Sequence, residues 1–474
     1  MTRGLALRAP HEIWGSAVAR DTLRVSTFAW GLCAVLSLFL LPGNLLFELG
    51  IGYDVPESNA ALKIHPSTYL SAIGVMLALA AVYQRKTVPG LAHWRMPIVF
   101  IVVISVCALS SFLSVGLASS SNYIDTFLAA GLLAMVVATG DSRQHRMLGY
   151  FIIAAVVANI VLSFWESVTE IHLIPMHIST FDLTKVEGNE GSDFRPAALY
   201  SHPLVASTVT SMSVFVVLAM RLRLWLAGIV VALLAAGLLS FGGRASLVTT
   251  GAVLFVAGSL FIAVKLVRRQ MSPRIIMCTL SAIVLLPLLL TTLGTGTNIG
   301  NRLVTHFYVD DSAMARAQQW DVLERLDLRE ILYGTTRDRV EVLRSQIGLR
   351  ANNLGFENPW LLLFLNLGIV NLLPFVFGMA LFLTDLARRA GWPLGWMLVG
   401  SYLLIASTNN SLGVKAPDLS FLVAFAFAMS GFRNQQDSTR SGMKSGPESP
   451  VPVFDVNRAM VTRRPGSVRA PGIG

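Results

Sequence analysis

Four short stretches of this chain carry the residue types that could do chemistry. "DFRPAALYSHPLVAS" holds Arg195 and His202, "SFGGRASLV" holds Arg244, "MARAQQW" holds Arg316 and Trp320, and "GFENPWLL" holds Glu357 and Asn358. A guanidinium presents a planar fork of donors that matches two phosphate oxygens at once and stays charged at neutral pH. Three such groups gathered on one face suit a mono- or diphosphate ligand. Glu357 adds a carboxylate that desolvation can turn into a base near neutral pH. Each residue also has a plainer reading. An arginine at a membrane surface can snorkel, a glutamate just ahead of a helix opening at Pro359 favours the helix dipole, and His202 ahead of Pro203 can cap a helix. His202, Trp320, Asn358 and, in "STNNSLGVKAPD", Lys415 are the candidates for contacting the ligand beside the charged groups. Asp310 and Asp311 invite a metal reading, but two adjacent acids in a solvated loop need none, so no metal and no cofactor is expected.

What must position these residues is a very apolar chain. Of its 474 residues 54% are hydrophobic and only 14% are charged, with a mean hydropathy of +0.62. A soluble protein of this length needs far more polar surface. The net charge of +10 would suggest nucleic acid in a soluble chain. Here much of the excess lies in short connections and the terminal segments, which makes it a topology signal. Cys33, Cys107 and Cys278 all fall inside apolar runs, so neither a disulfide framework nor a zinc site is expected.

About twelve runs are long enough to span a hydrocarbon core of about 30 Å as helices. They are Thr27–Phe47, Ser67–Tyr83, Pro97–Val115, Tyr123–Thr139, Met147–Trp165, Pro203–Met220, Leu224–Phe241, Ala245–Val264, Arg274–Leu293, Pro359–Leu383, Pro393–Thr408 and Pro417–Phe432. Proline marks several starts, where its missing N–H costs nothing. The first run is too long for a signal-peptide core and lacks a cleavage pattern. Basic residues occupy every second connection: Arg3, Arg8, Arg20 and Arg24, then Arg85, Lys86 and Arg95, Arg143 and Arg146, Arg221 and Arg223, Lys265 to Arg274, and Arg388 with Arg389. By the positive-inside rule those connections and both termini are cytoplasmic. The remaining connections are then external, including a loop near Glu166–His202 with six acids against two bases and the long loop Gly294–Asn358. Arg195, Arg244 and Arg316 lie on that outer side, against the usual bias.

The expected organisation is therefore all-α. A cytoplasmic segment 1–26 leads into nine transmembrane helices in 27–293, followed by a large external loop 294–358, three more helices in 359–432 and a disordered tail 433–474. Within the loop, "DDSAMARAQQWDVLERL" puts Ala313, Ala317, Trp320 and Leu323 on one helical stripe, and "RDRVEVLRSQIGL" spaces Val340, Leu343 and Ile347 the same way. Both are expected to be short amphipathic helices on the outer face.

The order of "FRPAALYSHPLVAS", "SFGGRASL", "RAQQW" followed by "ILYG", and "FENPWLLLFLNLGIVNLL" resembles the O-antigen ligase and Wzy-type polymerase superfamily. The resemblance covers roughly Phe194 to Leu373 and extends to the topology. It implies a GT-C-like membrane glycosyltransferase that joins sugars on the periplasmic side of the bacterial inner membrane, with a polyprenyl-diphosphate-linked oligosaccharide as donor. Arg195, Arg244 and Arg316 would then stabilise the departing diphosphate without a metal, and Glu357 would take the proton of the attacking hydroxyl. The chain departs from the ligases at that point, carrying Glu-Asn where they carry His-Asn. This favours a polymerase of repeat units, an exopolysaccharide-chain builder, over transfer to lipid A core. Partners under this reading are the bilayer, the lipid-linked saccharide, and other polysaccharide assembly and export proteins; nucleic acid is not among them. Two other classes stay open. A transporter or flippase would need charged or broken helices near the bilayer middle, and a non-catalytic scaffold would not need outward arginines beside a base.

Overall fold

Pro42 decides the first departure from the expected spans. The helix α1, Thr27–Leu40, stops there, and the chain restarts as the short α2, Gly43–Glu48, because the proline ring cannot donate to the preceding turn and disfavours helix before it. The expected single run Thr27–Phe47 is thus two pieces. The computed structural model describes residues 27–53, 63–83, 91–115, 122–175, 177–178, 181–182, 194–220, 222–267, 318–349, 356–413 and 415–444. The expected span Arg274–Leu293 and Arg316 lie outside them.

Among the described residues, the regular structure is helical apart from one two-residue antiparallel pairing, β1 (His177–Ile178) with β2 (Phe181–Asp182). The remaining helices are α3 Pro66–Tyr83, α4 Arg95–Val115, α5 Ala129–Val137 with a π-helical turn Tyr123–Leu128 before it, α6 Ser142–Thr169, α7 Pro203–Met220, α8 Leu224–Ser240 and α9 Arg244–Val267. After them come α10 Leu328–Tyr333, α11 Arg337–Gln346, α12 Pro359–Ala390, α13 Leu394–Thr408 and α14 Asp418–Lys444. The chain divides into two units, 1–433 and 434–474, and every candidate residue belongs to the first.

Four of these helices are long and apolar enough to cross a membrane by length and composition, namely α4, α6, α7 and α12; α1, α3, α5, α8, α9 and α13 contribute shorter apolar stretches. Their uncovered faces are apolar as well. On α4, Val102, Val106, Leu109 and Leu113 are 53–75% exposed, which suits lipid and not water. The core runs through the middle of the bundle, where Phe39 of α1 meets Phe421 of α14 edge-on at 4.9 Å and Phe100 of α4 stacks on Phe382 of α12 at 4.3 Å.

Interhelical connections gather at two ends. At one, Arg389 Nη2 donates to His93 O at 2.7 Å, Arg433 Nη1 to Arg388 O at 2.9 Å and Arg146 Nη1 to Gly431 O at 3.3 Å. At the other, Asn44 Nδ2 donates to Ser201 O, His65 N to Asp125 Oδ1 and Asn409 Nδ2 to Thr208 Oγ1. The described candidate residues belong to this second end, the site end.

The most tightly constrained joint is a kink in α12. Gly368 takes φ 62°, ψ 170° in mid-helix, which only glycine adopts cheaply. The freed carbonyls find partners within the protein, as any backbone group in apolar surroundings must. Leu365 O accepts from Thr335 N at 2.6 Å and Thr335 Oγ1 at 3.1 Å, and Asn366 O accepts from Ser111 Oγ on α4 at 3.1 Å. Gly334 at the end of "ILYG", itself at φ 90°, lies directly on this kink: a Cβ on Gly368 would come within 2.4 Å of Gly334 N and Leu332 O. The two motif glycines meet backbone to backbone. A second small core of Val322, Val340, Leu343, Leu349, Phe356, Leu361 and Leu365 fastens the loop helices to the first half of α12.

Gly368→Ala is expected to cost about 3 kcal/mol, from left-handed strain plus the clash. Gly251→Ala on α9, where a Cβ meets nothing within 4 Å, should be neutral or stabilising, since alanine is the better helix former. Thermal unfolding in detergent checks both; equal effects would contradict the docking role.

Candidate functional site

The segment Phe194–His202 has no regular structure, and a buried carboxylate shapes it. Glu166, on the last full turn of α6 and 0% exposed, accepts from Ala197 N at 2.9 Å, Ala198 N at 2.8 Å and, across the next loop, Leu173 N at 2.6 Å. Asn159 Oδ1, two turns down the same helix, accepts from Leu199 N at 2.7 Å. Ala198 takes up the local strain, at φ 50°. His172 stacks on Phe194 at 4.4 Å and closes the cluster. The loop expected near Glu166–His202 begins later, because this helix, α6, extends to Thr169, and the Glu166 carboxylate turns to the backbone of Ala197 and Ala198. The signal for this was present as Asn159, Ser163 and Glu166 at i, i+4 and i+7, a polar stripe on an apolar helix.

The pinned segment delivers Arg195 to the turn between α8 and α9. Its side chain lies over Gly242, with Cδ 3.6 Å and Nε 3.7 Å from where a Cβ would stand, and Gly242 adopts φ 66°. Gly243 presses on Ser207 so closely that a Cβ would fall 2.3 Å from the serine Cβ. Only a Gly-Gly turn fits between α7 and Arg195. Arg244 then opens α9, with its N–H bonded to Gly242 O at 3.0 Å. A ladder of hydroxyls holds α9 to α7, Ser207 to Ser246 at 3.1 Å and, one turn on, Ser211 to Thr250. The side chain of Arg195 and the backbone of Arg244 are thereby brought to one glycine turn.

His202 serves as the cap of α7. Its Nδ1 accepts from Leu204 N at 3.1 Å, which requires the neutral ring. Burial, and secondarily the charge of Arg195, lower its pKa to about 4. The imidazole therefore stays uncharged near Arg195 at neutral pH.

Glu357 and Asn358 are placed by the loop. Gln319, 0% exposed, turns its Oε1 to Glu357 N at 3.1 Å and Asn358 N at 3.0 Å. This corrects the expected stripe. The turn Gln319–Arg325 is 3-10, with three residues per turn, so Gln319 and Val322 face in while Trp320 and Leu323 are 50% and 38% exposed. The other loop helix is as expected, with Val340 and Leu343 buried on α11. Asn358 caps α12, accepting from Trp360 N at 3.1 Å and Leu361 N at 3.2 Å. Trp360 Nε1 in turn reaches Ser407 Oγ on α13 at 2.9 Å. Glu357 itself is half-buried.

Lys415 is committed elsewhere at the site end. Its Nζ donates to Tyr53 O at 2.8 Å, lies 3.2 Å from the Tyr53 ring centroid and pairs with buried Asp125 at 3.6 Å. Asp125, in the π-helical turn, also accepts from Thr68 Oγ1 at 2.8 Å. His65 bridges the cluster to α1, its Nε2 at 2.8 Å from Leu41 O. This network joins the α1–α2 link, the α2–α3 connection, the π-helical turn and the α13–α14 connection, and accounts for Lys415 as a structural cation. Residues that spacing alone did not reveal are therefore Glu166, Gln319 and Asp125, all of which act on backbone.

Among the described residues, no group of three or more His, Cys, Asp or Glu side chains is arranged to hold a metal ion. No protein-family model and no curated protein matches the chain.

Two variants and one titration test this geometry. Glu166→Gln, which replaces an acceptor by a donor facing backbone N–H groups, should lower the melting temperature and raise hydrogen exchange at Ala197 and Ala198; unchanged exchange there would contradict the clamp. His65, buried and held at about 4, and His202 both sit below the ordinary value of about 6.5. Unfolding then takes up protons, so stability is full above about pH 6.5 and falls as pH drops toward 4. His202→Asn, which keeps a capping acceptor, should reduce the proton uptake measured near pH 5.

Proposed function

We propose that this chain is a membrane glycosyltransferase that joins polyprenyl-diphosphate-linked oligosaccharides, acting as a polymerase of repeat units. The observation that carries the reading is the Arg195 side chain lying over Gly242, two residues before Arg244 opens α9, at one end of an apolar bundle. Two guanidinium groups on a rigid turn suit a lipid diphosphate, whose tail lies among apolar helices while its head stays at the surface. The site lies at the end away from Arg146, Arg388, Arg389 and Arg433. Under the positive-inside rule it faces the periplasm from a bacterial inner membrane, with twelve spans and both termini cytoplasmic.

The chemistry divides between the two parts of the site. An acceptor hydroxyl attacks the anomeric carbon, the bond from that carbon to the diphosphate oxygen breaks, and the leaving diphosphate gains negative charge that Arg195 and Arg244 stabilise. Glu357 takes the hydroxyl proton. Arg316, three residues ahead of Gln319, is the third candidate for the diphosphate. Neutral His202 adds no charge to compete with the arginines.

The test is chain lengthening by purified protein supplied with polyprenyl-diphosphate-linked repeat units in detergent. Wild type is expected to lengthen chains, while Arg244→Ala, Arg195→Ala and Glu357→Gln each lose at least a hundredfold in rate with melting temperatures near wild type. A wild-type product of unchanged length on every acceptor tried would contradict the polymerase reading, and movement of the same lipid across liposomes would favour a flippase.

A further inference from the structure

Four arginines at the end opposite the site keep their charge uncompensated. Arg433 Nη1 donates to Arg388 O at 2.9 Å and Arg146 Nη1 to Gly431 O at 3.3 Å, which brings the start of α6, the end of α12 and α14 together. Arg143 lies one turn before Arg146 on α6, and residues at i, i+3 are neighbours on a helix surface. Backbone carbonyls accept these hydrogen bonds but carry no net charge. The neighbouring carboxylates are engaged elsewhere: Asp385 holds Arg389 at 2.6 Å, and Asp141 caps α6 by accepting from Gln144 N at 2.7 Å. Among the described residues, no carboxylate pairs with Arg143, Arg146, Arg388 or Arg433. Arg143, Arg388 and Arg433 are exposed, and Arg146 is half-buried.

The surface that continues from these charges is apolar. The exposed side of α6 runs from Arg143 through Met147, Tyr150, Ala154, Ala158 and Val161 to Trp165, in the three- and four-residue steps of one helix face. At 1.5 Å rise per residue the distance from Arg143 to Trp165 is about 33 Å, close to the hydrocarbon thickness of about 30 Å. Arg143 therefore stands at headgroup level when this stripe faces acyl chains, with Trp165 at the opposite interface. Tyr150 meets Phe432 edge-on at 5.5 Å, so α14 and Arg433 border the same stripe. Trp392, 82% exposed, follows Gly391, where a Cβ would stand 2.9 Å from Arg433 Cδ. An exposed indole beside the arginines marks the headgroup layer too. A ligand that suits both surfaces is amphipathic, with a phosphate for the guanidinium forks and chains for the stripe. A zwitterionic headgroup brings its own cation and leaves the arginines uncompensated. We propose that Arg143, Arg146, Arg388 and Arg433 form a binding surface for the headgroup of an anionic phospholipid whose acyl chains lie along the outer stripe of α6.

The experiment is thermal unfolding of the full chain in dodecyl maltoside, titrated with dioleoylphosphatidylglycerol against dioleoylphosphatidylcholine. The melting temperature is expected to rise by several degrees and saturate with phosphatidylglycerol alone, since a ligand bound only by the folded state stabilises it by mass action. The double variant Arg143→Gln with Arg388→Gln changes two exposed side chains. Its melting temperature in phosphatidylcholine should match wild type, and its half-saturating phosphatidylglycerol should rise at least fivefold. Arg195→Ala with Arg244→Ala, at the other end of the bundle, should keep the wild-type increment. Superimposable wild-type curves with the two lipids would overturn the proposal. So would an unchanged half-saturation in the Arg143 and Arg388 variant, or an increment lost in the Arg195 and Arg244 variant, each of which places the lipid elsewhere. An equal rise with sodium phosphate at matched charge would overturn it as well, by making the occupant a soluble anion.

Discussion

Backbone groups freed inside an apolar bundle must be satisfied by the protein itself, and this constraint orders most of the site end. Water is not at hand to take an unpaired N–H or C=O there, and each unmatched group costs on the order of 1–3 kcal/mol. The chain breaks its helices repeatedly at this end: after α1 at Pro42, between α6 and α7, and within α12 at Gly368. Each break recruits a polar side chain or a neighbouring backbone. Glu166 serves the segment before α7, Thr335 and Ser111 serve the kink, and Asp125 serves the start of α3 through His65 N.

The same solution holds the segment that carries Arg195. A carboxylate that accepts two successive backbone N–H groups fixes the direction of the chain leaving them, and here that chain carries Arg195. Glycines at 242 and 243 let the α8–α9 turn approach both that side chain and Ser207. The loop helices reach the second part of the site differently. Gln319 holds the backbone at Glu357 and Asn358, and Gly334 docks on the α12 kink, so the loop is braced at both ends of the first half of α12.

The sequence made the long elements legible because their signals are additive. Apolar runs of about twenty residues and proline starts located α7 to the residue and α4, α8, α12 and α13 closely, and the alternation of basic connections matches the gathering of Arg146, Arg388, Arg389 and Arg433 at one end. The site was legible only as residue types. Arg195, Arg244 and His202 stood out by charge and position, and the structure lays the Arg195 side chain over the glycine turn that Arg244 follows. What stayed hidden were partnerships over long sequence separation: Glu166 with Ala198, Gln319 with Asn358, Lys415 with Asp125, Gly334 with Gly368. Such pairs leave no periodic trace. Lys415 and Asn358 looked like ligand contacts because a lone polar residue at a helix end reads the same whether it faces a ligand or a neighbour's backbone. The 3-10 turn at Gln319 was missed because helical periodicity there is set by the tertiary contact with Glu357 N.

The central claim is that Arg195 and Arg244 together hold a lipid diphosphate. Its most direct test is equilibrium binding of a polyprenyl diphosphate and the matching monophosphate to purified protein in detergent, for wild type, each single alanine variant and the double variant. The account predicts saturable binding that favours the diphosphate, at least tenfold weaker in each single variant and scarcely weaker again in the double, as expected for two groups acting on one ligand. Equal affinity for both lipids in wild type and double variant alike would contradict it.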